Sequence, residues 1–573
     1  MLLPESISLQ RRTTSLGVDC PWRGLLLIWL AAVALDLVGL GQGPLRDWDE
    51  SLVARVALEL SRTPWPDWLL PTQWGEPYLN KPPGLHALIA GLIGIWRRVS
   101  GAGSTALPPE WLIRLAPAMG SSLLSPLLGL VQWQLRPGQR RDALWTAAIS
   151  LSLLPLARHA HLAMLDGLQL SAMATLWLGL LLARPCSPQR LVAGGLLAGL
   201  AGSALLLLKA PVAPIVLLTG LALRWLDHDL DQRNWHWLIT GLAVGLTPGL
   251  AWHGWHLAWR GDGALVMWGQ QGLARIASSV ENHSGGPLPP LIQVLTGGWP
   301  WLPLWPLAIV RCWQQRRSDW GRWCIGLTTM ASLMVLPLQT QLPWYSLLLW
   351  PPFALCCGPM IPALIDGDGA GHWRRGVASI WLVLGMVALL STVLGPAKPI
   401  ALSAATGLLT AAFSLLGTGS RRSTGRRWRR RGLITLVSAW LIAMVLLFQS
   451  SLWNWELNEQ ASILPVLPLL PQAGIDKAVP PLAITGPMAK RPSLWWYAQR
   501  RPRSDGWISR AARPALLIIT DQPEFQPGIP FRFRADGRSV LLRCRLDRPG
   551  EDDWNRWLCS SSDLRRSANG QHG

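Results

Sequence analysis

The sequence predicts an α-helical polytopic membrane protein, and three observations carry that prediction. Half of the 573 residues are hydrophobic and only 15% are charged, and mean hydropathy is +0.26, too apolar for a soluble protein of several domains. Apolar runs recur through residues 1–450, about 13 of them long enough to be read as spans. Arginine clusters fall at alternate connections between those runs, as expected where positive charge marks the cytoplasmic side. The net charge of +20 is therefore a topology signal, and no nucleic acid partner is expected. Aromatic residues are almost all Trp, 37 against 3 Tyr and 6 Phe, and Trp favours the headgroup level of a bilayer.

Arg11, Arg12 and Arg23 precede the first run, Gly24 to Gly41, so the N-terminus is assigned to the cytoplasm and the run to an uncleaved anchor. The polar stretch 43–84 is then a large outer loop. Within it, Leu52, Val53, Val56, Ala57 and Leu60 share one helical face behind Asp49. That spacing predicts a short surface helix with Asp49 as its N-cap. Leu85 to Trp96 is too short to cross comfortably and is assigned as re-entrant or interfacial.

With that parity the remaining runs alternate: 111–135, 143–156, 167–182, 191–208, 212–223, 237–257, 291–310, 323–338, 342–364, 377–394, 400–416 and 433–448. The clusters at Arg136 to Arg141, Arg224 to Arg233, Arg311 to Arg322 and Arg421 to Arg431 all land inside, and Arg97 and Arg98 are the exceptions. From about residue 451 the chain turns polar and Pro-rich, with β-like runs at 482–485, 516–520 and 540–546, which predicts a small exported α/β domain over 451–573 behind a transmembrane domain over 1–450. Cys544 and Cys559 lie in that tail, where a disulfide and two free thiols are equally compatible with the sequence.

This topology delivers Asp49, Glu50 and Asp166, the cations Lys81, Lys209 and Arg275, and His283 and Tyr345 to one outer face. Singly, each is most simply a snorkelling or capping residue. Convergence of ionisable residues on one side of a membrane suggests a substrate pocket instead.

The same residues carry a resemblance. Asp49-Glu50, then Gly75-Glu76-Pro77-Tyr78-Leu79-Asn80-Lys81-Pro82-Pro83, then Leu162 to Asp166, then Leu208-Lys209-Ala210-Pro211, and later Leu342-Pro343-Trp344-Tyr345 leading to Pro351-Pro352, resemble the integral-membrane GT-C glycosyltransferases. The likeness is nearest to the lipid A aminoarabinose transferase family (family 83) and more distant to the protein O-mannosyltransferases (family 39). It runs in order through about the first 360 residues and includes Ser493 to Tyr497 weakly.

The resemblance implies a GT-C fold in the inner (plasma) membrane and a polyprenyl-phosphate sugar donor. It also implies transfer, with inversion, to a lipid (lipid A or lipopolysaccharide-like) or other envelope acceptor at the outer face. It places Asp49, Glu50 and Asp166 as catalytic, Lys81, Lys209 and Arg275 on the donor phosphate, and Tyr78 and Tyr345 on substrate. Such a donor already carries its leaving group, which agrees with a chain in which no Gly-rich phosphate loop is evident.

No cofactor is certain, and a divalent metal stands open. Relatives often have Glu where this chain has Asn80, and Asn is a poor zinc ligand, which leaves His283 a weak metal candidate. The alternatives are a protein Ser/Thr acceptor and a transporter or flippase. The second predicts midplane charges and inverted repeats, and neither is visible in the sequence.

Overall fold

The structure is a computed structural model. It describes residues 20–454 apart from 47, 66, 105, 186, 278–285, 367–370, 396 and 418–421, and beyond them 482–484, 492–498, 515–520, 540–546 and 557–558. His283 and Cys559 therefore lie outside the described residues.

The chain is a multi-pass membrane protein built from helices. It begins with α1 (Trp22–Leu37), α2 (Asp49–Leu60), a two-residue hairpin β1 (Thr72–Gln73) and β2 (Glu76–Pro77), α3 (Gly84–Ser100) and α4 (Glu110–Ser122). Then come α5 (Leu124–Leu135), α6 (Arg140–Leu151), α7 (Leu154–Ala160), α8 (Asp166–Leu182), α9 (Pro188–Lys209), α10 (Val212–Leu226) and α11 (Gln232–Arg260). Short α12 (Val266–Trp268) and α13 (Ala274–Ala277) lead to α14 (Leu288–Gly297), α15 (Trp305–Gln314), α16 (Asp319–Val335), α17 (Trp350–Cys357) and α18 (Met360–Asp366). The series closes with α19 (Gly371–Leu394), α20 (Lys398–Leu416) and α21 (Arg422–Phe448).

Each apolar run assigned as a span is helical over most of its length. Among the described residues six stretches are long and apolar enough to cross a membrane, 110–135, 188–209, 343–366, 371–394, 398–416 and 424–448. Other runs are broken. Run 291–310 is α14 and α15 separated at Trp299-Pro300, and run 143–156 breaks between α6 and α7.

Two compact units emerge. The larger comprises 1–40, 78–85 and 114–455; the smaller comprises 41–77, 86–113 and 456–573.

In the larger unit, glycines set the closest helix approaches. A Cβ on Gly195 or Gly199 of α9 would sit 2.2 Å from Leu238 O and 2.3 Å from Leu242 O of α11, and Gly241 and Gly245 mirror this toward α9. Both helices thus use a small-xxx-small stripe to bring their backbones together. Pro248 lies inside α11, and Ser203 Oγ of α9 donates to Gly245 O at 2.8 Å and accepts from Gly249 N at 3.0 Å. A neighbouring hydroxyl thereby serves backbone groups around the proline, as membrane interiors require.

At one end of α8, α10 and α16, Arg224 donates to Asp229 and to Ala183 O (2.9 Å). Asp227 accepts from Arg322 at 2.6 Å and from Trp323 Nε1 at 3.3 Å.

In the smaller unit, α2 begins at Asp49 as predicted, but the cap is different. Trp48 occupies the N-cap position with no side-chain cap bond, at φ 62°, and Asp49 is the first helical residue. Nor does α2 show a single apolar face: Ser51, Ala54, Leu58 and Glu59 are buried together with Val53, Val56, Ala57 and Leu60. Its helical periodicity is right; its surroundings are enclosed protein rather than a one-sided surface.

The predicted tail strands are found. β3 (Leu482–Ile484), β4 (Ala515–Thr520), β5 (Val540–Leu546) and β6 (Trp557–Leu558) form a sheet in the order β3-β4-β5-β6, with β3 parallel to β4 and the other pairs antiparallel. Helix α22 (Pro492–Ala498) buries Trp495 and Trp496. The Tyr497 hydroxyl donates to Glu110 Oε1 at 2.9 Å and accepts from Leu45 N at 2.7 Å.

Candidate active site

Four of the sequence-predicted residues meet in the larger unit. Helices α8 and α9 are antiparallel neighbours, so the N-terminus of one lies beside the C-terminus of the other. Asp166 opens α8 and Lys209 closes α9, the positions where the helix dipole favours an acid and a cation respectively. Lys209 Nζ donates to Asp166 Oδ1 at 3.0 Å. Asp166 is buried and Lys209 half-buried, and the ammonium lies 5.2 Å from the Tyr345 ring centroid. Arg275 in turn donates from Nη1 to the Tyr345 hydroxyl.

Local backbone explains the convergence. Tyr345 lies in a 3₁₀ run, Pro343–Leu349. Arg275 is on α13, and its carbonyl accepts from Gln339 N (3.1 Å) and Thr340 N (3.2 Å). A Cβ on Gly272 would lie 3.0 Å from Pro211 Cγ, which sets the stretch before Arg275 against the corner after Lys209. Two cations, a phenol and a carboxylate are thus held side by side, an arrangement suited to an oxyanion next to hydroxyl groups.

The Tyr78 to Leu85 stretch belongs to the same unit. Tyr78 is buried, Lys81 half-buried and Asn80 exposed. Leu79 reaches toward Gly263, where a Cβ would lie 3.2 Å from Leu79 Cδ1. Gly84 packs on the end of α9, since a Cβ there would be 2.6 Å from Leu207 O. Gly84→Ala is therefore expected to lose about 1–3 kcal/mol through overpacking against a backbone carbonyl. Thermal unfolding of the purified variant checks this; unchanged stability would show that the loop can shift freely.

Asp49 and Glu50 belong to the smaller unit and are described there. Glu50 is buried, and its Oε2 accepts from Arg46 N at 3.0 Å. Just ahead of them, the positive φ of Trp48 is a conformation that costs a non-glycine residue about 1–3 kcal/mol, and such strain clusters at functional positions.

Two acids escaped the sequence reading. Glu59 anchors the hairpin that leads into Tyr78. Its carboxylate accepts from Arg55 Nε (2.6 Å), Thr72 Oγ1 (2.8 Å), Trp74 N (2.6 Å) and Gly75 N (3.1 Å). The Arg55 guanidinium lies 3.4 Å from the Trp74 ring centroid. Burial raises the Glu59 carboxyl, but the Thr72 and Gly75 hydrogen bonds and Arg55 outweigh it and hold the pKa below the ordinary 4.5.

A depressed carboxylate stabilises the fold above its unfolded pKa, and that contribution is lost as pH falls through the folded value. Hydrogen exchange at Trp74 and Gly75 should therefore accelerate as pH drops below about 4.5, after correction for intrinsic rates. Glu59→Gln should cost about 1.5–3 kcal/mol of local protection at neutral pH. Equal protection in wild type and variant would contradict the anchor.

Asp36 is the second. It lies buried in α1, on a cavity of about 30 Å³ also lined by Ser121, Ser122, Ser125, Ser150 and His159, and by Gly167, the residue after Asp166. That volume holds one or two waters. A lone acid inside the first apolar run was the available signal.

No family model matches the chain, and no curated protein sequence does. Solved structures do match. ArnT from Cupriavidus metallidurans bound to undecaprenyl phosphate superposes with a TM-score of 0.64 at 18% identity, covering 91% of this chain and 98% of that one. The chain has the ArnT-like GT-C fold. ArnT in the apo state gives a TM-score of 0.65 at 16% identity with the same coverage. The helical GT-C architecture expected from the motifs is thus the one observed, and the ArnT-like match extends well past the first 360 residues.

Proposed function

We propose that this protein is a glycosyltransferase that moves a sugar from a polyprenyl phosphate to an envelope lipid acceptor. The observation that carries the reading is the Lys209, Asp166, Tyr345 and Arg275 cluster within an ArnT-like fold. A solved structure with that fold held undecaprenyl phosphate. In this reading the N-terminus is cytoplasmic, and the site and residues 451–573 lie on the periplasmic side of the inner membrane.

In this reading Lys209 and Arg275, with Lys81, receive the donor phosphate. As the anomeric C–O bond breaks, negative charge grows on the departing phosphate oxygen, and fixed cations stabilise it without reorganising. Asp49 takes the proton of a hydroxyl acceptor, or orients an acceptor that is already a phosphate anion. One-step displacement inverts the anomeric centre. Asp166 holds Lys209 in place and offers its second oxygen to sugar hydroxyls, Glu50 fixes the start of α2, and Tyr78 and Tyr345 line the substrate. Because Lys209 already engages Asp166 and residue 80 is a neutral amide, no metal-dependent step is assigned.

The test is Asp49→Asn. Purified wild type and variant in lipid vesicles are given a panel of polyprenyl-phosphate sugars and envelope lipids, with products read by mass spectrometry. Transfer should fall about 10²–10⁴-fold while donor binding persists. Equal transfer by the variant would remove Asp49 from the chemistry, and transfer only to added protein would move the acceptor class.

A further inference from the structure

Three thiols that take no part in the reaction above meet inside the larger unit. Cys312 of α15, Cys324 of α16 and Cys356 of α17 place their Sγ atoms within 4.8 Å of one another, and each residue is at most 1% exposed. The approach is built by the fold. Ser318 Oγ caps α16 by accepting from Gly321 N at 3.2 Å. At Gly321 a Cβ would lie 2.2 Å from Gln315 O and 2.8 Å from Cys312 O, so only glycine lets α16 close on the end of α15. Cys324 follows one helical turn later. Trp320 Nε1 donates to Leu355 O at 3.0 Å and fastens α17 at the residue before Cys356. Thr328 Oγ1 lies 4.0 Å from Cys356 Sγ, within hydrogen-bond reach of sulfur.

We propose that these three cysteines form a binding site for a thiophilic d¹⁰ cation, Cu⁺ or Zn²⁺. With metal–sulfur bonds of about 2.3 Å, a trigonal set has its sulfurs about 4.0 Å apart, so a triangle with sides of at most 4.8 Å needs no more than a small adjustment. The cluster contains sulfur alone, the donor that selects Cu⁺ and Zn²⁺ over harder ions. Binding displaces thiol protons to solvent. A cation also offsets the thiolate charge that burial would otherwise penalise. Cationic Arg136 lies near, its guanidinium 5.0 Å from the ring centroid of Trp320, one turn before Cys324. Cu⁺ is satisfied by three thiolates, whereas Zn²⁺ favours a fourth donor. Burial leaves no open position for a reacting ligand. The ion would therefore pin α15, α16 and α17 together, and α17 directly continues the 3₁₀ run that carries Tyr345.

The test uses full-length protein purified anaerobically under reducing conditions. It is loaded separately with Cu⁺ and Zn²⁺, stripped of excess ion, and assayed for metal content, X-ray absorption and thermal unfolding. One ion per chain with a sulfur-only shell is expected, and the unfolding temperature should rise with free metal. Cys312→Ser, Cys324→Ser and Cys356→Ser should each weaken retention at least about tenfold. Cys357→Ser and a Cys544→Ser/Cys559→Ser double variant should retain the ion. The wild-type spectrum and unfolding curve decide even where a serine variant fails to fold. No retained ion, a shell of nitrogen or oxygen, or retention unchanged in the triple serine variant would overturn the site.

Discussion

Lys209→Ala is expected to lower sugar transfer by about 10²–10³-fold, the usual cost of removing one preorganised group that stabilises developing oxyanion charge. Its place in the structure supports that size. The ammonium is fixed from two sides, by Asp166 at 3.0 Å and by the Tyr345 ring at 5.2 Å, so little reorganisation is needed when a phosphate arrives. Removing it also leaves Asp166 as a buried acid without its cation, which should repel an anionic donor. Asp166→Asn should therefore partly rescue donor binding, but not turnover, in the Lys209→Ala background. A double-mutant cycle on steady-state rates measures this coupling. Strict additivity, or wild-type turnover in Lys209→Ala, would mean that the pair is only a helix-end contact.

Asp227→Ala is expected to destabilise the larger unit by about 3–5 kcal/mol, the cost of breaking a buried ion pair from one side. The carboxylate accepts from Arg322 and Trp323 and pairs with Arg224 at 3.3 Å, and Arg224 is only 2% exposed. Asp229 also serves Arg224, which places the expected loss toward the lower end of that range. Replacing Asp227 with Asn, which keeps an acceptor oxygen, should recover part of the loss. Thermal or detergent unfolding of both variants reads the difference, and an Asp227→Ala protein as stable as wild type would show that solvent takes over these partners.

The sequence was informative where hydrophobic periodicity and helix ends decide the outcome. Each apolar run is helical over most of its length because its composition leaves the backbone no other way to satisfy its polar groups in a membrane. Asp166 and Lys209 each stand out as ionisable residues at the ends of apolar runs, and their pairing follows once α8 and α9 form a hairpin. The Arg275 and Tyr345 contact, 70 residues apart, depends on the irregular chain after α11, which no periodicity describes. Glu59 reads as one more polar residue on an amphipathic helix. Its importance comes from amides 15 and 16 residues later that turn back onto it. Asp49 has the composition of a side-chain cap, but Trp48 bends the backbone instead and Asp49 becomes the first helical residue. The breaks within runs 143–156 and 291–310 leave no mark in hydropathy, which averages over them.

The reading of this chain as a transferase stands or falls on product formation by wild-type protein in sealed vesicles containing a polyprenyl-phosphate sugar and envelope lipid. Free polyprenyl phosphate and sugar-bearing acceptor are expected to accumulate in equal amounts, with neither formed when donor or acceptor is omitted. Movement of the intact sugar lipid between leaflets, with no free polyprenyl phosphate and no modified acceptor, would contradict it and identify a flippase on the same fold.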